Sequence, residues 1–388
     1  MKEVNFAEPL DLPEELLAMR RQIRRFVQEE VLPNGDVWEA EGKIPRSVFK
    51  KLGDMGLLGM RHPIEYGGTD MGPVASVVFA EELGRSTYGG LPASVLVHTD
   101  MSATHISRRG TEEQKRKYLP GIISGEKVVA IAVTEPGAGS DVARLKTRAV
   151  RDGDQFVLSG SKIYITNGVY GDIYIIAART DPDAKVSRGI SLFIVEKGTH
   201  GLVVGKKLLK HGDLCSDTAE LFLENLRVPV ENLLGELHKG FYAIMDNFQN
   251  ERLVLAGYSV GASMKALDLT VEHVRARQAF GGTLWDLQAT RQKLAMLTTK
   301  VAAARTLTYH AANMEAQGRD CVVEISQAKV SACETHVEVA NSCLQLHGGM
   351  GYMQGTAIER MTRDARLQTI GGGATEVMLE EIAKRLAV

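Results

Sequence analysis

The most constraining stretch of this chain runs from Ala130 to Asn167. An apolar run, Val128 to Val133, breaks into the glycine-rich turn EPGAGSD (135–141). A dinucleotide-binding βαβ unit needs a helix directly after such glycines, so that the helix N-terminus can hold a pyrophosphate. Here the turn leads instead into polar and apolar residues that alternate on both sides of Asp152 and Gly153. That alternation around an Asp-Gly pair reads as a β-hairpin. The glycine loop therefore belongs to a β-rich unit. It can offer backbone N–H groups and the hydroxyls of Thr134 and Ser140 to a ligand without Rossmann geometry. A nicotinamide enzyme is disfavoured on the same ground.

On either side of this unit the pattern is helical. Leu16, Met19, Ile23, Phe26, Val27 and Leu32 recur near helical spacing. Pro45–Leu52 and Pro73–Leu83 read as short helices opened by proline. Leu91–Ile106 is apolar almost throughout and reads as a buried helix, and Thr111 is a good N-cap for the next one. Short strand-like runs then follow at Ile173–Ala178, Gly189–Val195, Leu202–Val204 and Thr218–Leu223. Long helical runs return at Phe241–Arg277, Asp286–Ala316 and Asp320–Leu346, with a shorter one at Thr375–Leu386. The expected fold is an α+β multidomain chain. It has an N-terminal helical domain (1–125), a central antiparallel β-barrel or sandwich (126–238) and a C-terminal four-helix bundle (239–388). At 388 residues the chain is long for a single core, which agrees with several domains.

Composition narrows the function. A formal net charge of -2 gives no electrostatic reason to expect nucleic acid. No apolar run is long enough to span a bilayer. The opening MKEVNFAEPLDLPEE has neither a signal-peptide core nor a transit pattern, so a cytoplasmic protein or a mature organellar form is expected. The four cysteines form no C-x-x-C pair and read as reduced, buried thiols. The ten histidines show no metal-binding cluster, and no metal site is expected.

Six segments in this order resemble the acyl-CoA dehydrogenase family over nearly the whole chain. They are VTEPGAGSD (133–141), KIYITNG (162–168), SDTAELFLENLRVP (216–229), RQAFG (277–281), LQLHGGMGY (344–352) and RDARLQTIGGGATE (363–376). The resemblance implies FAD as cofactor, an acyl-CoA substrate, a homotetramer, and electron-transferring flavoprotein as electron acceptor. It implies that Val133 and Thr134 contact the flavin ring, that Tyr164, Ile165 and Thr166 flank its other side, and that Gly139 and Ser140 also bind the cofactor. Arg277, Phe280 and Gln288 would reach the FAD of a neighbouring subunit, and Gln345, Gly348 and Gly349 its adenine end. Many relatives carry Trp where this chain has Tyr164; the aromatic cover is kept.

The implied reaction is α,β-dehydrogenation of the thioester: a carboxylate removes the α-proton while a hydride leaves the β-carbon. Many members place that carboxylate in a loop before the last helix. This chain has IGGGAT (370–375) there, with Gly372 where the Glu would stand. NERLVLA (250–256) instead matches the isovaleryl-CoA and long-chain branches, in which the base lies on the long helix; Glu251 is the matching residue. Phe248 precedes it and Leu253 to Ala256 follow, so its carboxyl is expected to be desolvated and its pKa raised. The resemblance gives the Gly372 N–H the task of binding the thioester oxygen. Ser140, Tyr242, Gln249, Arg252, Gly371 and Gly373 would meet the acyl-CoA, with Gln249 replacing an Asp common in relatives. The three glycines, with Ala93, Val95 and Val97, suggest an apolar pocket for branched or medium to long acyl groups. Two other functions stay open: a flavin oxidase or monooxygenase on the same scaffold, and a catalytically inactive acyl-CoA-binding homologue.

Overall fold

The computed structural model describes residues 4–185 and 187–386. The N-terminal part is helical: α1 (Glu14–Phe26), α2 (Leu32–Glu41), α3 (Arg46–Asp54), α4 (Gly72–Gly84), α5 (Gly90–Leu96), α6 (Thr104–Arg109) and α7 (Glu112–Ile123). Thr111 caps α7 as expected, in a reciprocal capping box with Gln114. The Gln114 amide then donates to the carbonyls of Glu231 and Leu233, which ties this helix to the strand region.

The predicted 91–106 helix is buried but not regular. Between α5 and α6 the chain widens into a π-helical segment, Val97–Ala103. A π turn shifts each hydrogen bond to the fifth residue back, so carbonyls along it become available to other donors.

The middle of the chain forms one eight-stranded sheet. Its strands are β1 (Val129–Ala132), β2 (Arg148–Asp152), β3 (Gln155–Thr166), β4 (Ile173–Arg179), β5 (Ile190–Glu196), β6 (Leu202–Lys207), β7 (Thr218–Pro229) and β8 (Leu233–Leu234). The spatial order is β6-β7-β3-β2-β4-β5-β8, with β1 beside β4. The expected hairpin is β2–β3, paired from Asp152↔Gln155 to Arg148↔Ser159. Most pairings are antiparallel, but β1 runs parallel to β4 and β2 meets it in parallel at one position. Alternate residues of β4 enter two cores. Ile173, Ile175 and Ala177 pack with α6 and α7, whereas Tyr174, Ile176 and Ala178 pack with side chains of β2, β3, β5 and β7. That second cluster is how a curled sheet packs upon itself, and it explains the uninterrupted apolar run in β4.

The C-terminal part is helical again: α8 (Gly240–Ala276), a small hairpin β9 (Gln278–Ala279) and β10 (Gly282–Thr283), then α9 (Gln288–Ala316), α10 (Val322–His347), α11 (Gly349–Tyr352), α12 (Ala357–Gln368) and α13 (Thr375–Leu386). Helices α11 and α12 and the hairpin were not anticipated. Gly84 on α4 and Gly257 and Gly261 on α8 let these two helices meet backbone to backbone; a Cβ at Gly261 would collide with the Glu81 carbonyl. The same contact holds a buried charge cluster. Glu81 accepts from Arg305 at 2.8 and 2.9 Å and from Arg20 at 3.5 Å, and Arg20 also donates to the Tyr309 hydroxyl at 2.9 Å.

Candidate active site

Glu251 sits in the first half of α8 and is only 6% exposed. Its carboxyl has one hydrogen-bond donor among the described residues, the Asn247 Nδ2 amide one helical turn earlier, at 3.3 Å. Burial pushes its pKa up to about 8; the Asn247 amide and the adjacent Arg252 pull it down, but by less. The expectation of a desolvated glutamate is met. Arg252 is buried too. Its guanidinium lies 5.6 Å from the centre of the Phe248 ring, and its Nε has no hydrogen-bond partner among the described residues.

The glycine loop between α12 and α13 lies against this stretch of helix. Gly372 adopts φ +63, and a Cβ there would collide with the end of Leu255, one turn beyond Glu251. Gly373 adopts φ +104, with its Cβ position 3.8 Å from Arg252 Nε. Lys329 of α10, itself buried, donates to the Gly373 carbonyl at 2.5 Å and so pins the loop from below. Gly371 continues α12 by donating to the Leu367 carbonyl at 2.8 Å. The Gly372 N–H has no acceptor among the described residues. Glu251, Arg252, Gly372 and Gly373, far apart in sequence, are thus gathered in one place.

A second group forms on the sheet. Ile163 donates to the Thr134 carbonyl at 3.0 Å, which joins the glycine turn to β3. Lys162 is fully buried beneath and donates to the Val133 carbonyl at 3.0 Å and to Glu135 at 2.8 Å. Burial draws Lys162 down to about 8 while Glu135 holds it up. Glu135 also accepts from the backbone of Lys146 and Thr147, at 2.5 and 2.9 Å. The turn is therefore rigid at its root, while Gly139 and Ser140 at its tip are exposed. A β-bulge between Lys162 and Ile165 puts Tyr164 at φ 62 and turns its ring outward, 67% exposed. Bulges commonly re-aim side chains in this way at functional sites. Ile165 is buried and Thr166 half-buried.

A third group gathers at the far end of α8, about 38 Å from Glu251 along the helix axis. Arg277 and Gln288 are exposed there, and Phe280 is 92% exposed at the tip of the β9–β10 hairpin. Gln345, Gly348 and Gly349 reach the same end, where His347 stacks on His273 at 4.2 Å. Gly348 does end α10, but with φ 61 and ψ -144 it also turns the backbone outward into α11. Of the other expected substrate contacts, Tyr242 is exposed on the first turn of α8, and Gln249 is half-buried with Oε1 unpartnered among the described residues. Val95 is fully buried in the helical core, whereas Ala93 and Val97 are half-buried.

Family comparisons agree with this architecture along the chain. The models for the N-terminal, middle and C-terminal domains of acyl-CoA dehydrogenase match residues 13–126, 130–226 and 238–387. The chain belongs to the acyl-CoA dehydrogenase family. It is 40% identical to the long-chain specific acyl-CoA dehydrogenase of Rattus norvegicus mitochondria over 95% of this chain and 85% of that protein. It is 38% identical to the mitochondrial isovaleryl-CoA dehydrogenase of Pongo abelii over 94% and 87%. A crystal structure of acyl-CoA dehydrogenase from Geobacillus kaustophilus superposes with a TM-score of 0.94 at 40% identity, covering 97% of this chain and 99% of that one.

The family consists of FAD-dependent oxidoreductases, and the residues present fit that cofactor. The hydroxyls of Thr134, whose carbonyl is bonded by Ile163, and of Thr166 make no hydrogen bond to protein among the described residues, and the ring of Tyr164 between Ile163 and Thr166 in the chain faces outward. Such donors and acceptors beside an aromatic suit a flat, hydrogen-bonding ring system. Among the described residues no helix is long and apolar enough to cross a membrane. The sequence reading missed Asn247, the π segment, the Lys162–Glu135 pair and Lys329. A polar residue four positions before Glu251 was the available signal for the first of these.

Proposed function

We propose that this chain is an FAD-dependent acyl-CoA dehydrogenase that converts a branched, medium-chain or long-chain acyl-CoA to the 2-enoyl-CoA, with Glu251 as the base. The observation that carries this reading is a buried glutamate whose carboxyl has a single long hydrogen bond among the described residues, on the stretch of helix against which the Gly372 loop packs, the Gly372 N–H having no acceptor among those residues.

The thioester oxygen accepts from the Gly372 N–H, which lowers the cost of charge building at that oxygen as the α-proton leaves. Glu251 takes that proton on its carboxylate. A pKa of about 8 suits the task, because the group is strongly basic yet ionises near neutral pH. Arg252 and the apolar helix residues around Glu251 exclude water and keep the cationic guanidinium beside the reacting end. FAD, when bound, supplies the acceptor for the hydride that leaves the β-carbon. Val133, Thr134 and Tyr164 to Thr166 would flank its ring, with Gly139 and Ser140 at the turn.

The group at the far end of α8 is too distant to serve the same cofactor as Glu251. Arg277, Phe280, Gln288, Gln345, Gly348 and Gly349 therefore serve the FAD of a neighbouring copy, which makes the working unit an oligomer, read as a homotetramer. Electron-transferring flavoprotein is the proposed acceptor. The test is anaerobic titration of the yellow protein with straight and branched acyl-CoAs, following flavin bleaching. Wild type bleaches with branched or longer thioesters; Glu251→Gln binds them and stays yellow. Bleaching by Glu251→Gln at the wild-type rate would refute the assignment of the base, and fast aerobic reoxidation would favour an oxidase.

A further inference from the structure

Asn247 stands at a junction that none of the site assignments uses. Its Nδ2 has three oxygen neighbours: the Asp100 carbonyl at 3.2 Å, the Met101 carbonyl at 3.1 Å and Glu251 Oε1 at 3.3 Å. Its Oδ1 accepts from the Thr104 hydroxyl at 2.7 Å. The opposite amide orientation would set a carbonyl oxygen against three oxygens, so the assigned one holds. An amide nitrogen has two hydrogens. Three acceptors compete for two protons, and the two carbonyls are the nearer ones.

Both carbonyls belong to the π segment Val97–Ala103. In a regular α-helix they would be committed to the helix's own N–H groups. Asn250 also donates to the Asp100 carbonyl, at 2.7 Å. The π turn therefore draws in two side chains of α8, the ones directly before and one turn before Glu251.

We propose that Asn247, held by Thr104 and by the π-segment carbonyls, is a positioning residue that sets the orientation and the basicity of Glu251. The proposal rests on Glu251 being the base. The amide orients one carboxylate oxygen, yet shares its protons with the backbone, so the carboxylate is fixed in place without being fully stabilised. A stronger donor would leave a weak base, and no donor would leave a mobile carboxyl that stays protonated. The other ionisable groups around this part of α8 are Arg252 on the same helix, Asp100 in the π segment, Lys329 on α10, and Glu381 and Arg385 on α13. Of these only Arg252 acts on the Glu251 carboxyl directly; the two α13 groups act on Arg252, and burial keeps Asp100 above the usual carboxylate range.

The experiment compares wild type, Asn247→Leu, Thr104→Val and Glu251→Gln as flavin-loaded proteins. The acid limb of the kcat/KM profile is measured. The Glu251 carboxyl is also titrated by infrared difference spectroscopy, its band assigned by its absence in Glu251→Gln. Loss of a donor to the charged form raises a carboxyl pKa. Asn247→Leu should move both readings up by roughly one pH unit, and Thr104→Val, which frees the amide and also removes the hydroxyl that donates to the Asp100 carbonyl at 2.9 Å, by about half that. A repacking effect alone would lower activity without moving the infrared titration. An unmoved titration in folded Asn247→Leu, or in Thr104→Val should Asn247→Leu not fold, overturns the proposal while the base stands. Full turnover in Glu251→Gln overturns the base itself.

Discussion

Glu81 and Glu251 are buried glutamates on α4 and α8, two helices that pack directly on each other, yet they are opposites in chemistry. Glu81 accepts three guanidinium bonds from Arg20 and Arg305, so its charge is spent inside the protein. Glu251 has one shared amide at 3.3 Å and a pKa pushed up to about 8. A buried carboxylate that is fully paired is an anchor; one left nearly unpaired keeps its basicity, which suits the role of base proposed for Glu251. Breaking a buried pair leaves an uncompensated charge and costs stability. Leaving a carboxyl unpaired from the outset also costs stability, but keeps its basicity for a substrate.

Substitutions sharpen this contrast. The largest effect is expected from Glu251→Gln: turnover should fall by about 10²–10⁴-fold with flavin retained, measured by anaerobic stopped flow. Glu81→Gln should do the reverse. It should destabilise the fold by about 3–5 kcal/mol, read from urea midpoints, while turnover per folded site stays near wild type. A smaller effect concerns pH. The unfolded chain ionises Glu251 above its ordinary value of 4.5, whereas the folded chain keeps it protonated until about 8. The unfolded state thus binds fewer protons in that window, and wild-type stability falls as pH rises through it. Glu251→Gln lacks this slope, so its advantage over wild type should grow by on the order of a few kcal/mol between pH 5 and pH 8. Identical pH profiles of stability would break the comparison. The smallest effect belongs to the exposed Lys300–Glu338 pair of α9 and α10, at 2.6 Å. Lys300→Ala should cost no more than about 0.5 kcal/mol by the same urea assay.

Periodicity and turn chemistry made the helix–sheet–helix order legible. Thr111 and Asp152-Gly153 each marked their element through a local rule that tertiary packing did not override. The parallel β1–β4 pairing was not legible, because residues 129–132 and 173–176 are joined only through long-range register. Helix α12 escaped because its buried face carries Arg360 and Asp364, polar residues satisfied by distant partners such as the Thr87 carbonyl and the Asp213 N–H. At the site, the burial of Glu251 was readable from its apolar flanks. Asn247 and Lys329 were not, since their roles depend on a π turn and on a loop carbonyl that no local pattern announces.

The glycine loop also bears on how such a chain can change. A carboxylate cannot simply return to position 372. Any β-carbon there meets Leu255, on a backbone at φ +63 that side chains rarely adopt. The end of Leu255 is flexible and could move aside, so the backbone conformation at φ +63 is the lasting obstacle to a side chain at this position. The loop backbone at 372 is thus built for glycine, and the base proposed on α8 leaves that position free for a backbone task.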